Sequence, residues 1–365
     1  MTNGSVIGLD IGSSQIKAVH LERRRGGWSL LNAGIQATPP ECVQDGVILD
    51  IPRVTEAVRT LFRESRLPAA DTVAAVSGSH VLVRPIKVPD MNLATLKRSI
   101  RFEAAKHLDQ GTSGIAIENS VVEFEILGKG GTPPQLDLLL VVAPTPMVNG
   151  RVTVMENAGL EAVAVDHEAF ALVRAMEAAK LTPAPGQAAV VMNLGATYTD
   201  LNIVVGSEVA TPRSIPIGGN ALCSSLASAL NLSPDEAEDR KRTLDVSPEP
   251  LASEGFGGLA GTDPSRQVAA PFVDELIREL RRSVIYFQSQ AVEAGLNVVV
   301  EHLVLAGGGT SLPGLPDYLR DRLSMQVSVL DPLALANGHR ASLSHLEGRG
   351  PELAVAMGLA LKEYV

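Results

Sequence analysis

The spacing Asp10-x-Gly12-Ser13-Ser14-x-x-Lys17 lies between two apolar runs and puts an acid, three small residues and a cation into one turn. Such a turn can take a polyphosphate. The phosphate oxygens need backbone N–H groups aimed at them and side chains small enough to permit approach. Gly12, Ser13 and Ser14 supply both. Lys17 adds a point charge. Asp10 can hold a magnesium ion through water, because Mg²⁺ keeps several waters and takes few carboxylates. The device recurs in the second half as Asn193-x-Gly195-Ala196-Thr197-x-Thr199. A third turn, Ala306-Gly307-Gly308-Gly309-Thr310-Ser311, follows the apolar run "HLVLA". Its glycines let backbone lie against a flat ring, and Thr310 or Ser311 can cap the next helix. In Ala237-Glu238-x-x-Lys241 the spacing sets both ends on one helix face. Taken singly, these are also a polar hairpin tip, a loop and a solvated ion pair; their order gives them weight.

The elements that must position these residues read as two similar halves. Val6–Asp10 and Ile16–Leu21 form a hairpin, "WSLLNAGIQATPP" adds a third strand, and Val54, Val58, Leu61 and Phe62 repeat with a helical period. From Pro89 the pattern changes to helix, hairpin, helix and strand, which suggests a unit inserted over about Val81–Val163. After the linker "AAKLTPAPGQ" the strand pair "AAVVMNLGATYTDLNIVV" aligns Asn193 with Asp10. A period of half the chain indicates an internal duplication rather than a solenoid. Two βββα halves would face each other across a cleft, with the two turns meeting there. "NALCSSLASAL", "SPDEAEDRKRTL" and "PFVDELIRELRRSVIYFQSQAVEAG" read as helices, 245–267 as loop, and "GPELAVAMGLALKEYV" as a closing helix rich in small residues.

Composition narrows the class. The 365 residues suit two or three domains, with 45% hydrophobic and 20% charged. Aromatics are 3%, so the core must be mostly aliphatic. A formal net charge of −10 argues against a general nucleic-acid binder. Cys42 and Cys223 are far apart and offer no zinc or disulfide framework. No apolar run nears the roughly 20 residues that span a bilayer, and "MTNGSVIGLD" lacks the regions of a signal peptide. The expected setting is cytoplasmic. Seven histidines show no metal spacing.

Together and in order, these motifs resemble the actin-like ATPase superfamily, an α/β fold of two duplicated lobes around a nucleotide cleft. The resemblance implies ATP or ADP with Mg²⁺ as cofactors. It assigns Gly12, Ser13, Ser14 and Lys17 to the first phosphate turn and Gly195 and Thr199 to the second. It puts Glu238 and Lys241 near the ribose and Gly307, Gly308 and Gly309 at adenosine. Asp10 would hold Mg²⁺ through water, with Asn193 a weak counterpart. The strand "AVAVD" followed by "HEAFALV" looks like the superfamily's first connecting helix, which makes Glu168 the residue positioning the attacking water.

Within the superfamily the chain resembles the PilM family of type IV pilus assembly. The matching segments include "GLDIGSSQIKAV", "DGVILD", "AAVSGSHVLVRPIKVPDM", "IRFEAAKHL", "ENAGLEAVAVDHEAFAL", "LAGGGTSLPGL" and "GPELAVAMGLAL". The implied organisation is a first lobe over 1–186 carrying an FtsA-like subdomain 1C at about 81–163, a second lobe over 187–349, and a closing helix over 350–365 that returns to the first. The implied function is an ATP-binding scaffold. It would bind the cytosolic N-terminal tail of a PilN-like membrane protein in a nucleotide-dependent way, and work with platform and motor proteins at the inner membrane. A groove between the helix Asn92–Leu108 and the following strands is the expected seat of that tail; self-association stays open. The family usually carries aspartate where this chain has Asn193, so tight nucleotide binding with slow or absent turnover is expected. Two alternatives share the fold. A sugar or small-metabolite kinase would need a catalytic aspartate beside a sugar pocket, often with zinc cysteines or extra tryptophans, whereas this chain has one Trp28, two scattered cysteines and no Glu-x-Gly-His. An FtsA-like division protein would need an amphipathic anchor, where this sequence closes on "LALKEYV".

Overall fold

The run Ser5–Ile11 is buried almost throughout, so the first sheet starts from a strand covered on both faces. The computed structural model describes residues 4–24, 27–108, 116–248, 263–293, 295–335 and 340–363. β1 (Ser5–Ile11), β2 (Gln15–Arg24) and β3 (Gly27–Ala37) form an antiparallel meander. A small hairpin of β4 (Val43–Gln44) and β5 (Val47–Ile48) leads to α1 (Ile51–Glu64). Asp50 caps α1 by accepting from the Arg53 N–H at 3.0 Å. β6 (Asp71–Val76) then runs parallel to β1.

β7 (Leu82–Pro89), α2 (Leu93–Leu108), β8 (Ser120–Gly130) and β9 (Gln135–Pro144) make a separate layer. Their sheet has the order β7-β9-β8, and α2 covers one face through Leu96, Ile100, Ala104 and Leu108. α3 (Thr145–Asn157) and β10 (Glu161–His167) do not belong to it. β10 pairs in parallel with β6, and Val154, Met155 and Leu160 pack with α1 in the first-lobe core. The independently packed unit is therefore shorter than the expected 81–163, because the second helix and strand bury their apolar faces on the lobe. α4 (Glu168–Ala178) follows.

The second half repeats the plan. β11 (Gln187–Leu194), β12 (Thr199–Val205) and β13 (Glu208–Ile215) form the meander; α5 (Gly219–Leu230), α6 (Pro234–Thr243) and α7 (Pro264–Glu293) follow. β14 (Val299–Ala306), α8 (Leu315–Leu323) and β15 (Gln326–Val329) complete the lobe, and α9 (Ala354–Ala360) closes the chain. The sheet orders β10-β6-β1-β2-β3 and β15-β14-β11-β12-β13 correspond strand for strand. α7 begins before Pro271, the expected start, and carries that proline inside it. Of the loop expected over 245–267, residues 249–262 lie outside the described residues.

One core joins the lobes. Ala171, Leu172, Ala175 and Met176 of α4 and Ala354, Val355 and Leu359 of α9 pack between the two sheets, against Val73, Ala75, Val191 and Val304. Small residues make this approach close: a Cβ on Gly358 would stand 1.7 Å from the Ala171 carbonyl oxygen, and one on Gly8 would stand 1.8 Å from that of Ala356.

Candidate functional site

Parallel pairing brings the polar residues together. β1, β6 and β10 run parallel, so the residues following them, near Asp10, Ser77 and Glu168, come side by side. β11 runs parallel to β14 with Asn193 opposite Ala306, which sets the glycine turn beside Asn193. These strand ends line a cleft of about 530 Å³ between the lobes. Carboxyl ends of parallel strands are where open α/β sheets bind ligands.

Each hairpin tip is held in shape by its own backbone. The Gly12 N–H donates to the Gln15 carbonyl at 3.0 Å, and the Thr38 hydroxyl donates to the Gly12 carbonyl at 2.8 Å. The Gly195 N–H donates to the Tyr198 carbonyl at 2.9 Å. The start of α5 is stitched to that second tip, with the N–H groups of Gly219 and Asn220 on the carbonyls of Gly195 and Ala196 at 3.0 and 2.8 Å. The two tips touch: Ser13 Oγ and Thr197 Oγ1 are 2.9 Å apart. A second crossing joins the lobes where the Tyr198 hydroxyl donates to Asp45 Oδ1 at 2.6 Å.

The charges are arranged around these tips. Asp10 sits opposite Lys17 in register, and Lys17 Nζ donates to Asp10 Oδ2 at 3.0 Å. Burial works against the Lys17 charge, but Asp10, Glu168 and Glu352 together more than offset it and hold the ammonium above its ordinary pKa. Asn193 sits opposite Asp200, the register position that Lys17 holds in the first hairpin. Glu168 accepts from the Ser77 hydroxyl at 2.6 Å and from Asn193 Nδ2 at 3.4 Å. Burial, with Asp10 and Asp200 nearby, pushes its pKa up from 4.5 to about 8. Burial likewise raises Asp200 from 3.8 to about 6, with Asp10 adding to the shift. Carboxylates crowded in this way fit a cation, which would relieve their repulsion. Among the described residues no three His, Cys, Asp or Glu groups could ligate a metal directly. Asp10 and Asp200, carboxylates at the strand ends, are oxygen donors of the kind that Mg²⁺ takes through its waters.

The opposite wall comes from α6 and the glycine turn. Ser233 opens α6 with a reciprocal capping box to Glu236, behind Pro234. That start places Glu238 and Lys241 on one face, 2.7 Å apart, with the Cys223 thiol donating to Glu238 at 3.0 Å. Gly307 has φ +86°, and a Cβ there would meet Asn193 Oδ1 and the Leu194 carbonyl oxygen at 2.5 Å, so glycine is required.

Gly12, Ser13, Ser14, Lys17, Gly195, Glu238, Lys241, Gly307, Gly308, Gly309, Asp10, Asn193 and Glu168 all line the cleft. Thr199 does not. It is fully buried, and its hydroxyl is spent on the Ile217 carbonyl at 2.5 Å, where it shapes the tip from behind. Nor do Thr310 and Ser311 cap α8; their hydroxyls fold back to the carbonyls of Gly307 and Gly308 at 2.8 and 2.7 Å. The groove expected between α2 and its strands is filled by their shared apolar core. An open groove of about 2230 Å³ lies beside that unit, bordered by the edge strand β7, α4, β13 and α7, with His107 of α2, Glu125 and Leu127 of β8 and Leu139 of β9 at its rim.

Sequence reasoning missed Asp200, Arg151, Tyr198 and Arg349, all of which line the cleft. Asp200 stands at the offset from Asn193 that Lys17 has from Asp10, so the duplication itself carried that signal. Arg151 lies on α3 with no motif around it. It is 2% exposed and donates through Nη1 to the carbonyls of Gly46 and Met147 at 2.7 and 3.0 Å.

The family model described as type IV pilus assembly protein PilM matches residues 8–364. Cell division protein FtsA of Streptococcus pneumoniae is 22% identical, covering 98% of this chain and 83% of its own. The solved PilM-PilN type IV pilus biogenesis complex superposes with a TM-score of 0.81 at 27% identity, over 98% of each chain. MreB5 of Spiroplasma citri bound to AMPPNP superposes at 0.50 with 15% identity, over 94% of this chain and 96% of that one.

Proposed function

Because the chain belongs to the type IV pilus assembly protein PilM family and has the actin-like ATPase fold, we propose that its cleft holds ATP or ADP with Mg²⁺ and that nucleotide governs how it grips a PilN-like tail. The observation that carries this is the contact of the two small-residue tips, Ser13 on Thr197, over a cleft walled by acids and lysines. Two tips that meet can present backbone N–H groups to one phosphate chain from both sides.

In this reading the backbone N–H groups of Ser13 and Ser14 bind phosphate oxygens, while Gly12 and Gly195, whose own N–H groups close the two tips, leave room for the phosphates to approach. Lys17 exchanges part of its bond to Asp10 for phosphate. Glu238 and Lys241 take the ribose hydroxyls, and Gly307, Gly308 and Gly309 let the adenine ring lie flat. Asp10 and Asp200 accept hydrogen bonds from the waters of Mg²⁺, with Asn193 contributing its carbonyl oxygen. Magnesium supplies charge compensation along the phosphates. Glu168 orients the attacking water, but with a pKa near 8 it is mostly protonated at neutral pH and a poor base until that pKa falls. Asn193 offers no full negative charge beside it. Slow turnover follows: phosphate release by purified protein should stay below about 1 s⁻¹, and a rate within the ordinary enzyme range would overturn this.

The partner seat is proposed as the groove beside β7. An edge strand offers unpaired backbone groups to an extended peptide, and Leu82, Phe170 and Tyr286 line the groove with apolar surface. The solved relative is a PilM-PilN complex, which supports a PilN-like tail as the occupant. No described helix is long and apolar enough to cross a membrane. Attachment to the inner membrane then comes through the partner, with the rest of the platform and its motors assembled around it.

A further inference from the structure

The cleft's cations are nearly all spoken for. Lys17 is held by Asp10, Lys241 and Arg242 by Glu238, and Arg349 by Glu352. Of the five lysines and arginines that line the cleft, Arg151 alone has no carboxylate within ion-pair distance among the described residues. Its Nη1 is used by two backbone carbonyls, but Nε is buried with no hydrogen-bond partner. Leaving a buried donor of a charged group unpaired is costly. A charged donor that lines a cleft and has no protein partner for one of its N–H groups is suited to an anionic ligand.

Its position selects which anion. Arg151 bonds Gly46, a Cβ on Gly46 would touch Ser77 O at 3.1 Å, and Ser77 bonds Glu168, which Asn193 reaches in turn. Asn193 borders Gly307. The adenosine wall thus stands at one end of this chain of neighbours and Arg151 at the other, beyond the residue proposed to orient the attacking water. A guanidinium on the Glu168 side of the cleft, where Glu168 and Asp10 act on its charge, faces in the nucleotide reading the phosphate end of the nucleotide rather than its base.

We propose that Arg151 binds the terminal phosphate of ATP and makes the cleft discriminate the nucleoside triphosphate from the diphosphate. This rests on the nucleotide reading of the cleft. Two carbonyls fix the guanidinium in place before the ligand arrives, so little side-chain freedom is lost when the charge-assisted bonds form.

The test is calorimetry of full-length wild-type, Arg151→Met and Arg151→Lys protein with the magnesium complexes of AMPPNP and ADP. For Arg151→Met the triphosphate affinity should fall about tenfold or more, with ADP affinity within about twofold of wild type. Arg151→Lys should lie between, since it keeps charge without the fork. It carries the test alone should the methionine variant fail to fold. Equal losses for both nucleotides would assign Arg151 to holding Gly46 and the β4–β5 hairpin, and would overturn the proposal. Unchanged affinities in both variants would overturn it as well. If wild type bound neither nucleotide, the underlying reading would fail, an outcome separate from either of these.

Discussion

At the scale of single residues, the cleft is a problem of like charge. Asp10, Glu168 and Asp200 face one space; Lys17 pairs with Asp10, and the Arg151 guanidinium acts on Glu168 and Asp10 without an ion-pair contact among the described residues. Folding therefore favours protonated Glu168. The stability this gives is complete below the unfolded value of 4.5 and is lost as pH rises through about 8. Asp200 acts in the same direction between 3.8 and about 6. Burial holds His167 neutral down to about 4 against an ordinary 6.5, which opposes them in the acid range. Above pH 6.5 Glu168 dominates this set. Between pH 6.5 and 8.5 the melting temperature of ligand-free wild type should fall more steeply than that of Glu168→Gln. Parallel slopes would show that Glu168 ionises freely in the folded chain. The motif Asp10-x-Gly12-Ser13-Ser14-x-x-Lys17 was legible because short-range spacing encodes a hairpin tip. Glu168 needed the resemblance, and Arg151 was invisible. Its role depends on where α3 packs, which no local pattern records.

At the scale of elements, the sequence revealed most where periodicity and turn chemistry agree. The two meanders, α1 and the capped α6 follow from such signals, and the aligned turns exposed the duplication. The inserted layer was overextended because helix, hairpin, helix and strand make a plausible unit on composition alone. Only the pairing of β10 with β6 and the packing of α3 on α1 assign them to the lobe. The closing helix shows why small residues recur in "AVAMGLA": α9 is pressed between β1 and α4. A methyl group on Gly358 would lie 1.7 Å from the Ala171 carbonyl oxygen, so backbone must move. Overpacking of this kind costs about 1–3 kcal/mol. Gly358→Ala should lower the urea midpoint accordingly. Because Ala171 is one turn from Glu168, it should also weaken nucleotide binding. A variant as stable as wild type would mean that α9 does not seat this closely.

At the scale of the whole molecule, polar contacts span the cleft from Ser13 to Thr197, Tyr198 to Asp45 and Asn193 to Glu168, while α4 and α9 form a shared core behind it. The groove proposed for the partner tail is bordered by β7 and α4 of one lobe and β13 and α7 of the other. A change in lobe angle would change its width, so the proposed dependence of the tail on nucleotide would act through one rigid-body motion. A synthetic PilN-like tail should bind with an affinity that differs between magnesium ATP and nucleotide-free protein. Phe170→Ala should weaken the tail without altering nucleotide affinity. Indifference of the tail to nucleotide would remove the coupling while leaving both sites in place. The central claim is simpler: matched tips from duplicated lobes converge on one adenine nucleotide. Calorimetry of wild type against Gly12→Val and Gly195→Val with magnesium ADP tests it most directly. Side chains added at either tip crowd the Gln15 or Tyr198 carbonyl, at 3.0 and 2.8 Å from the new Cβ, and obstruct the phosphate path. The account predicts saturable one-to-one binding by wild type that is lost in both variants. Absence of heat from wild type, or binding undiminished by either valine, would contradict it.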